Sequence, residues 1–121
     1  MSDYRRLRIW QRARILSIRI HRMVGRLPHA ERARRGDQLI RAANSIRHNI
    51  VEGSGMGTIP QFARYLRYSI ASADELTDEL QELNDVRLLP PADEDLLTEP
   101  AEIAAMISTF RQRILDSLKK P

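Results

Sequence analysis

The stretch Gln38-Leu-Ile-Arg-Ala-Ala-Asn-Ser-Ile-Arg-His-Asn-Ile-Val-Glu-Gly-Ser-Gly55 decides the fold of this 121-residue chain. Leu39, Ala43, Ile46 and Ile50 recur at 4-3-4 spacing, which gathers them into one apolar stripe of an α-helix. Ala42, Ala43 and Ser45 are small enough to admit a neighbouring helix at close range. Gly53 arrives where a left-handed C-terminal cap is needed. A helix over about 31–53 followed by the turn 54–58 is therefore predicted.

Three more helices flank it. Upstream, Ile9, Ala13, Leu16, Ile20, Met23 or Val24, and Leu27 share one face of a helix over about 4–26, which Leu27-Pro28-His29 breaks. Downstream, Phe62, Leu66, Ser69, Ala73, Leu76, Leu80 and Leu83 repeat at 4-3-4-3-4-3, the seam of a bundle helix over about 59–87. Thr58-Ile-Pro-Gln61 opens that helix, with Thr58 as N-cap and Gln61 at the third helical position. Ser69, Ala71, Ser72 and Ala73 mark a close crossing at its middle. The last helix, about 92–118, is predicted to be broken: a short turn at Asp93–Leu97, then a main helix opened by Pro100 and capped by Thr98 or Glu99. Ile103, Ile107, Phe110, Ile114 and Leu118 form its stripe.

No segment alternates apolar and polar residues as a strand does. Four amphipathic helices joined by short connections predict an all-α, antiparallel up-down-up-down four-helix bundle, with residues 1–121 as a single domain. Hydrophobic residues at 42% and charged residues at 30% suit a soluble helical protein. No apolar run approaches the roughly 18 residues that span a bilayer, and Met-Ser-Asp-Tyr-Arg-Arg does not lead into a signal peptide. With no cysteine, disulfides and thiolate chemistry are excluded. A cytoplasmic, membrane-free protein is expected.

The pattern R-A-A-x-S-I-x-x-N-I-x-E-G-x-G at residues 41–55 resembles the four-helix bundle family of the 23S rRNA intervening sequences. That family is related to the accessory variability proteins of diversity-generating retroelements. Tyr4-Arg-Arg-Leu-Arg-Ile-Trp-Gln-Arg-Ala13 is similar to the family's opening motif, and Phe62-Ala-Arg-Tyr-Leu-Arg-Tyr-Ser-Ile-Ala-Ser-Ala-Asp-Glu-Leu76 to its third-helix motif. Ala71 stands where the family often has glycine, and Arg47 near a usual proline. The resemblance implies a bundle that assembles into ring-forming pentamers.

No catalytic constellation is found. His48 and Glu52 lie four apart, but two ligands do not make a metal site, and the Glu-x-x-His pairs of a di-iron bundle are missing. No histidine, serine and acid arrangement forms a nucleophile motif. Gly53-Ser-Gly-Met-Gly57 follows a helix instead of leading from a strand into one, so helix capping is preferred to phosphate cradling. Trp10 borders the apolar face and reads as packing in preference to base stacking. A non-enzyme with no cofactor, no metal and no small-molecule substrate is expected.

Charge is the informative feature. Residues 1–68 carry fifteen arginines against four acids, a net of +11, while residues 69–121 carry five cations against twelve acids, a net of −7. Arg5, Arg8, Arg12, Arg19, Arg22 and Arg26 fall in one sector of the first helix, about 115° from its apolar centre. In an antiparallel bundle, Arg19, Arg22, Arg26, Arg32, Arg34 and Arg35 come beside Asp74, Glu75, Asp78, Glu79, Glu82 and Asp85 and are neutralised, so the four acids at 74, 75, 78 and 79 are expected to contact arginines within or between subunits. At the opposite end Arg5, Arg6, Arg8, Arg12, Arg47, Arg64, Arg67, Lys119 and Lys120 face only Asp3, Glu52 and Asp116. That basic pole is the candidate nucleic-acid-binding surface, arginine favouring multidentate phosphate contact. Ile15 and Ile18 lie off the apolar stripe and are the candidate oligomer interface. The expected function is therefore a non-enzymatic homo-oligomer, a pentamer by the family likeness, that binds nucleic acid, RNA favoured by the same likeness. The alternative is a protein-interaction adaptor such as a reverse-transcriptase accessory protein.

Overall fold

A computed structural model describes residues 3–119. Four helices carry the fold: α1 (Arg8–Gly25), α2 (His29–Ser54), α3 (Ile59–Asp85) and α4 (Glu99–Asp116). Short 3-10 segments stand at Tyr4–Arg6, Pro91–Leu97 and Ser117–Lys119. The described residues form no strand.

Contacts run in opposite residue order between α1 and α2 and between α2 and α3, so these neighbours are antiparallel. Ser17 of α1 donates to Asn44 Oδ1 of α2 at 2.5 Å, whereas Val24, further along α1, meets Gly36, earlier in α2. Ser69 of α3 donates to the Ile46 carbonyl of α2 at 2.6 Å, and Ser72 meets Ser45 at 2.8 Å. These hydroxyls find partners where two backbones come too close for larger side chains, which is the crossing that the small residues foretold. Ala71 is not part of it; it faces outward.

The apolar stripes converge on one core. Leu16, Ile20, Met23, Ile46, Ile50, Leu66, Leu76, Leu80, Leu83, Leu96, Ile103 and Ile107 are its largest fully buried side chains. Each contributes about 1.5–3 kcal/mol by leaving water, and the ordering entropy of the chain offsets most of the sum. Phe110 and Ile114 are half-buried at the edge. Leu118 departs from its stripe: α4 stops at Asp116, the following 3-10 turn changes the angular step, and Leu118 is left 54% exposed.

The helix ends revise the predicted boundaries. Residues 4–6 form a 3-10 turn and Leu7 is extended, so α1 begins at Arg8 and not at residue 4. Tyr4 folds back edge-on against Trp10 with ring centroids 5.3 Å apart, and the Gln11 side chain donates to the Arg5 carbonyl at 3.0 Å. Pro28 serves as N-cap of α2 and starts it at His29. Thr58 caps α3 as expected, its hydroxyl oxygen accepting from the Gln61 N–H at 3.3 Å and its hydroxyl donating to Gln61 Oε1 at 3.1 Å. At the other end of α3, Arg87 takes the left-handed conformation with φ +61°, and the Leu88 N–H reaches back to the Leu83 carbonyl at 3.0 Å. The helix therefore stops at Asp85.

Gly53 is not a cap. It lies buried inside α2, and the left-handed glycine of the turn is Gly57, with φ +86°. A Cβ on Gly53 would stand 2.8 Å from Tyr65 Cβ and 2.9 Å from Phe62 Cδ1. Helix contact, not helix termination, requires the glycine.

Candidate nucleic-acid interface

The antiparallel order brings the start of α1, the end of α2, the start of α3 and the end of α4 to one end of the bundle. Arg111 of α4 donates from Nε to the Ala63 carbonyl of α3 at 2.8 Å, and Phe62 meets Phe110 edge-on with centroids 5.7 Å apart. The predicted cations take different positions around this packed end.

Arg5, Arg6 and Arg8 are exposed at the beginning of α1 and in the turn before it. The Arg5 guanidinium lies 5.6 Å from the Tyr4 ring centroid, and none of the three meets a carboxylate among the described residues. Arg64 is exposed and oriented by Tyr68, donating from Nε to the phenol oxygen at 2.8 Å. This bond raises the guanidinium pKa further and so holds the charge. Arg67 is exposed one turn further along α3. Lys119 stands 3.7 Å from Asp116, both solvent-exposed, a pair worth about 0–1 kcal/mol. Lys120 lies outside the described residues.

Two predicted members stand apart from this group. Arg47 is half-buried two turns before the end of α2, in a groove shared with Ile18, His21, Arg22, Asn44 and His48. Arg12 is engaged: its Nη2 meets Glu99 Oε1 at 2.5 Å and Glu102 Oε1 at 3.4 Å, and its Nη1 lies 3.1 Å from Met106 Sδ. The Glu99 bond is the main cause of its raised pKa. The expectation that only Asp3, Glu52 and Asp116 oppose the pole is thus corrected, because the first turn of α4 brings two more acids to it.

Arg12 belongs to a ladder. Arg19 makes two bonds of 2.7 Å to Asp95, and Arg26 pairs with the buried carboxylate of Asp93. The Arg19 bond holds the Asp95 carboxyl below its ordinary range. Arginines seven apart on α1 thus meet the acids of residues 93–102, not those of α3. The reason is placement: the segment after α3 folds along the flank of α1, where it reaches the arginines before α3 can. At the expected acid–arginine contact, Arg35 meets Glu82 at 3.6 Å and Glu31 at 3.0 Å. Among the described residues, Asp74, Glu75, Asp78 and Glu79 form no ion pair within the chain, which corrects the intrachain part of that expectation. Glu79 is half-buried with Oε2 unpartnered, and burial, then Glu75, Asp78 and Glu82, push its carboxyl up to about 7.

The residue missed in the sequence is Arg113. It lies three residues beyond Phe110 and seven beyond Met106, on the flank of α4 facing the start of α1. There it lines a groove of about 520 Å³ with Arg6 and Arg8. Attention to the apolar stripe of α4 alone conceals it; its helical spacing from Met106 was the available signal. Ile15 is 52% exposed on the outer face of α1, and Ile18 is half-sheltered in the α1–α2 groove.

No helix among the described residues is long and apolar enough to cross a membrane. No curated protein matches the chain. A family model described as 23S rRNA-intervening sequence protein matches residues 5–109, which takes in α1, α2, α3 and the first half of α4. With most of its length matched and its four helices packed as a bundle, the chain belongs to the 23S rRNA-intervening sequence protein family.

Proposed function

We propose that this protein is a non-enzymatic, cytoplasmic homo-oligomer that binds nucleic acid, RNA by preference, through the basic end of its bundle. One observation carries the reading: Arg5, Arg6, Arg8 and Arg113 are exposed at one end with no carboxylate partner among the described residues. Further along α1, Arg12, Arg19 and Arg26 are each paired. Charge left unpaired where neighbouring charge is neutralised is available to phosphate. Assembly is supported by the exposed Ile15 and by the exposed acids Asp74, Glu75 and Asp78 of α3, which meet no cation among the described residues. The family likeness favours five subunits.

The test is affinity for duplex against salt, with mass measured by light scattering in the same buffers. Engaging about five cations lowers the affinity by about two to three orders of magnitude between 50 and 200 mM salt. A salt-independent affinity would remove the phosphate-contact reading. The outward acids Asp74, Glu75 and Asp78 favour a second reading, a protein-interaction adaptor such as a reverse-transcriptase accessory protein, and absence of binding at low salt would put it first.

A further inference from the structure

The groove between the start of α1 and the end of α4 has a composition that phosphate contact alone does not explain. Its floor is Leu7, Ile9, Met106 and Phe110, all buried or half-buried. Its rim is Arg6, Arg8 and Arg113, all exposed. The volume, about 520 Å³, is within the range of about 300–1,000 Å³ usual for small-ligand sites.

Local structure builds this arrangement. The break at Leu7, extended at φ −75° and ψ 128°, lays residues 6–9 along the flank of α4. Phe110 forms a firm wall because its ring is held edge-on by Phe62, 5.7 Å away between centroids. The groove also stays positive. Glu99 and Glu102, the acids of α4 before it in sequence, are taken by Arg12, whose Nη1 closes against Met106 Sδ at the groove's edge, and Asp116, one turn beyond Arg113, stands 3.7 Å from Lys119.

A bare phosphate gains nothing from Leu7, Ile9, Met106 and Phe110. A purely apolar ligand leaves three guanidinium groups without a counter-charge. The matching ligand has a flat, weakly polar body with anions beside it, and a nucleotide in a single strand has that form. In duplex the base is stacked out of reach, whereas an unstacked base can lie on aromatic, apolar or guanidinium planes. The forked guanidinium groups suit the flanking phosphates.

Resting on the nucleic-acid reading above, we infer that this groove holds one unstacked nucleotide, its base over Met106 and Phe110 and its neighbouring phosphates on Arg6, Arg8 and Arg113. Single strands, loops and free ends are then its ligands in preference to continuous duplex.

The experiment compares three probes of equal phosphate number on the full chain by fluorescence anisotropy at one salt concentration: a single-stranded RNA, a duplex of half its length, and the same strand made abasic. The single strand is expected to bind about tenfold more tightly than the abasic strand, the scale of one stacked base. Thr109 is exposed on the groove wall, so Thr109→Trp should fill the groove without disturbing the core. That variant should abolish the tenfold difference between the single and the abasic strand, with its thermal melt as the check on folding. Arg113→Ala gives a second route and should weaken the single strand more than the duplex. Equal affinity of the wild-type protein for single and abasic strands would overturn the groove assignment while leaving the basic end intact as a phosphate surface. Absence of binding by all three probes at low salt would remove the underlying nucleic-acid reading as well. Capture of an acidic, apolar peptide that Thr109→Trp abolishes, with no strand discrimination, would overturn the assignment in favour of a protein ligand.

Discussion

Gly53 of α2 lies against Tyr65 of α3 so closely that a Cβ at position 53 would stand 2.8 Å from the Cβ of Tyr65. Two helix backbones therefore approach at the end of the bundle where the basic residues gather, and one missing methyl sets their separation. Gly53→Ala should destabilise the protein by about 1–2 kcal/mol, since overpacking costs about 1–3 kcal/mol and alanine returns up to about 1 kcal/mol of helix propensity. Gly25 is the control: nothing lies within 4 Å of its added Cβ, and Gly25→Ala should be neutral or stabilising. Urea denaturation of the two variants gives the opposite signs directly.

Arg87 occupies the left-handed position after α3 at φ +61°. A side chain there costs about 1–2 kcal/mol, and glycine removes that cost while adding freedom to the unfolded chain. Arg87→Gly should raise stability by about 0.5–1 kcal/mol, whereas Arg87→Val, β-branched at the same φ, should lower it. Denaturation midpoints at constant slope distinguish the two.

The Glu79 carboxyl is raised from an ordinary 4.5 to about 7 in the folded protein. Between these values the native state holds a proton that the unfolded chain has released, so this group makes stability fall as pH rises from about 4.5 to about 7, with the full penalty above that. Glu79→Gln should therefore raise the melting temperature at pH 8 and change it little at pH 4. Solvent screening of a half-exposed group limits the effect to about 1 kcal/mol. The difference between wild type and variant is the useful readout, because Asp95, lowered by Arg19, contributes with the opposite sign. An equal effect at both pH values would show that the carboxyl carries no perturbed proton.

The two sets of arginines on α1 should separate in binding. Replacing Arg5, Arg6 and Arg8 with Ala should weaken every nucleic-acid sequence about equally and reduce the salt slope by nearly 1 for each phosphate no longer neutralised. Replacing Arg12, Arg19 and Arg26 should cost stability and leave the slope nearly unchanged, since carboxylates already hold them. Equal slope changes would remove the distinction between free and engaged cations.

Ile15, 52% exposed, and Ile18 should contribute to the contact between subunits. Ile15→Glu with Ile18→Glu should lower the light-scattering mass toward that of one 14.0 kDa chain without loss of helical signal. A wild-type protein already monomeric at micromolar concentration would end this reading.

Local signals and long-range contacts divide the legible from the illegible. The four apolar periodicities, the Thr58–Gln61 cap and the break before Pro100 depend on residues within one or two turns, so the sequence alone determines them, and with them the all-α fold. Gly53 was visible as a glycine, yet its purpose depends on Tyr65 and Phe62 across a helix crossing, which no local pattern contains. Likewise the arginines of α1 and their spacing could be read directly, but which acids neutralise them depends on the path of residues 91–98 after α3. That path gives Asp93 and Asp95 to Arg26 and Arg19, gives Glu99 to Arg12, and leaves Glu79 without a cation among the described residues. Arg113 entered the candidate site for the same reason: charges act through space at distances set by packing, and only the tertiary structure decides which charges become neighbours.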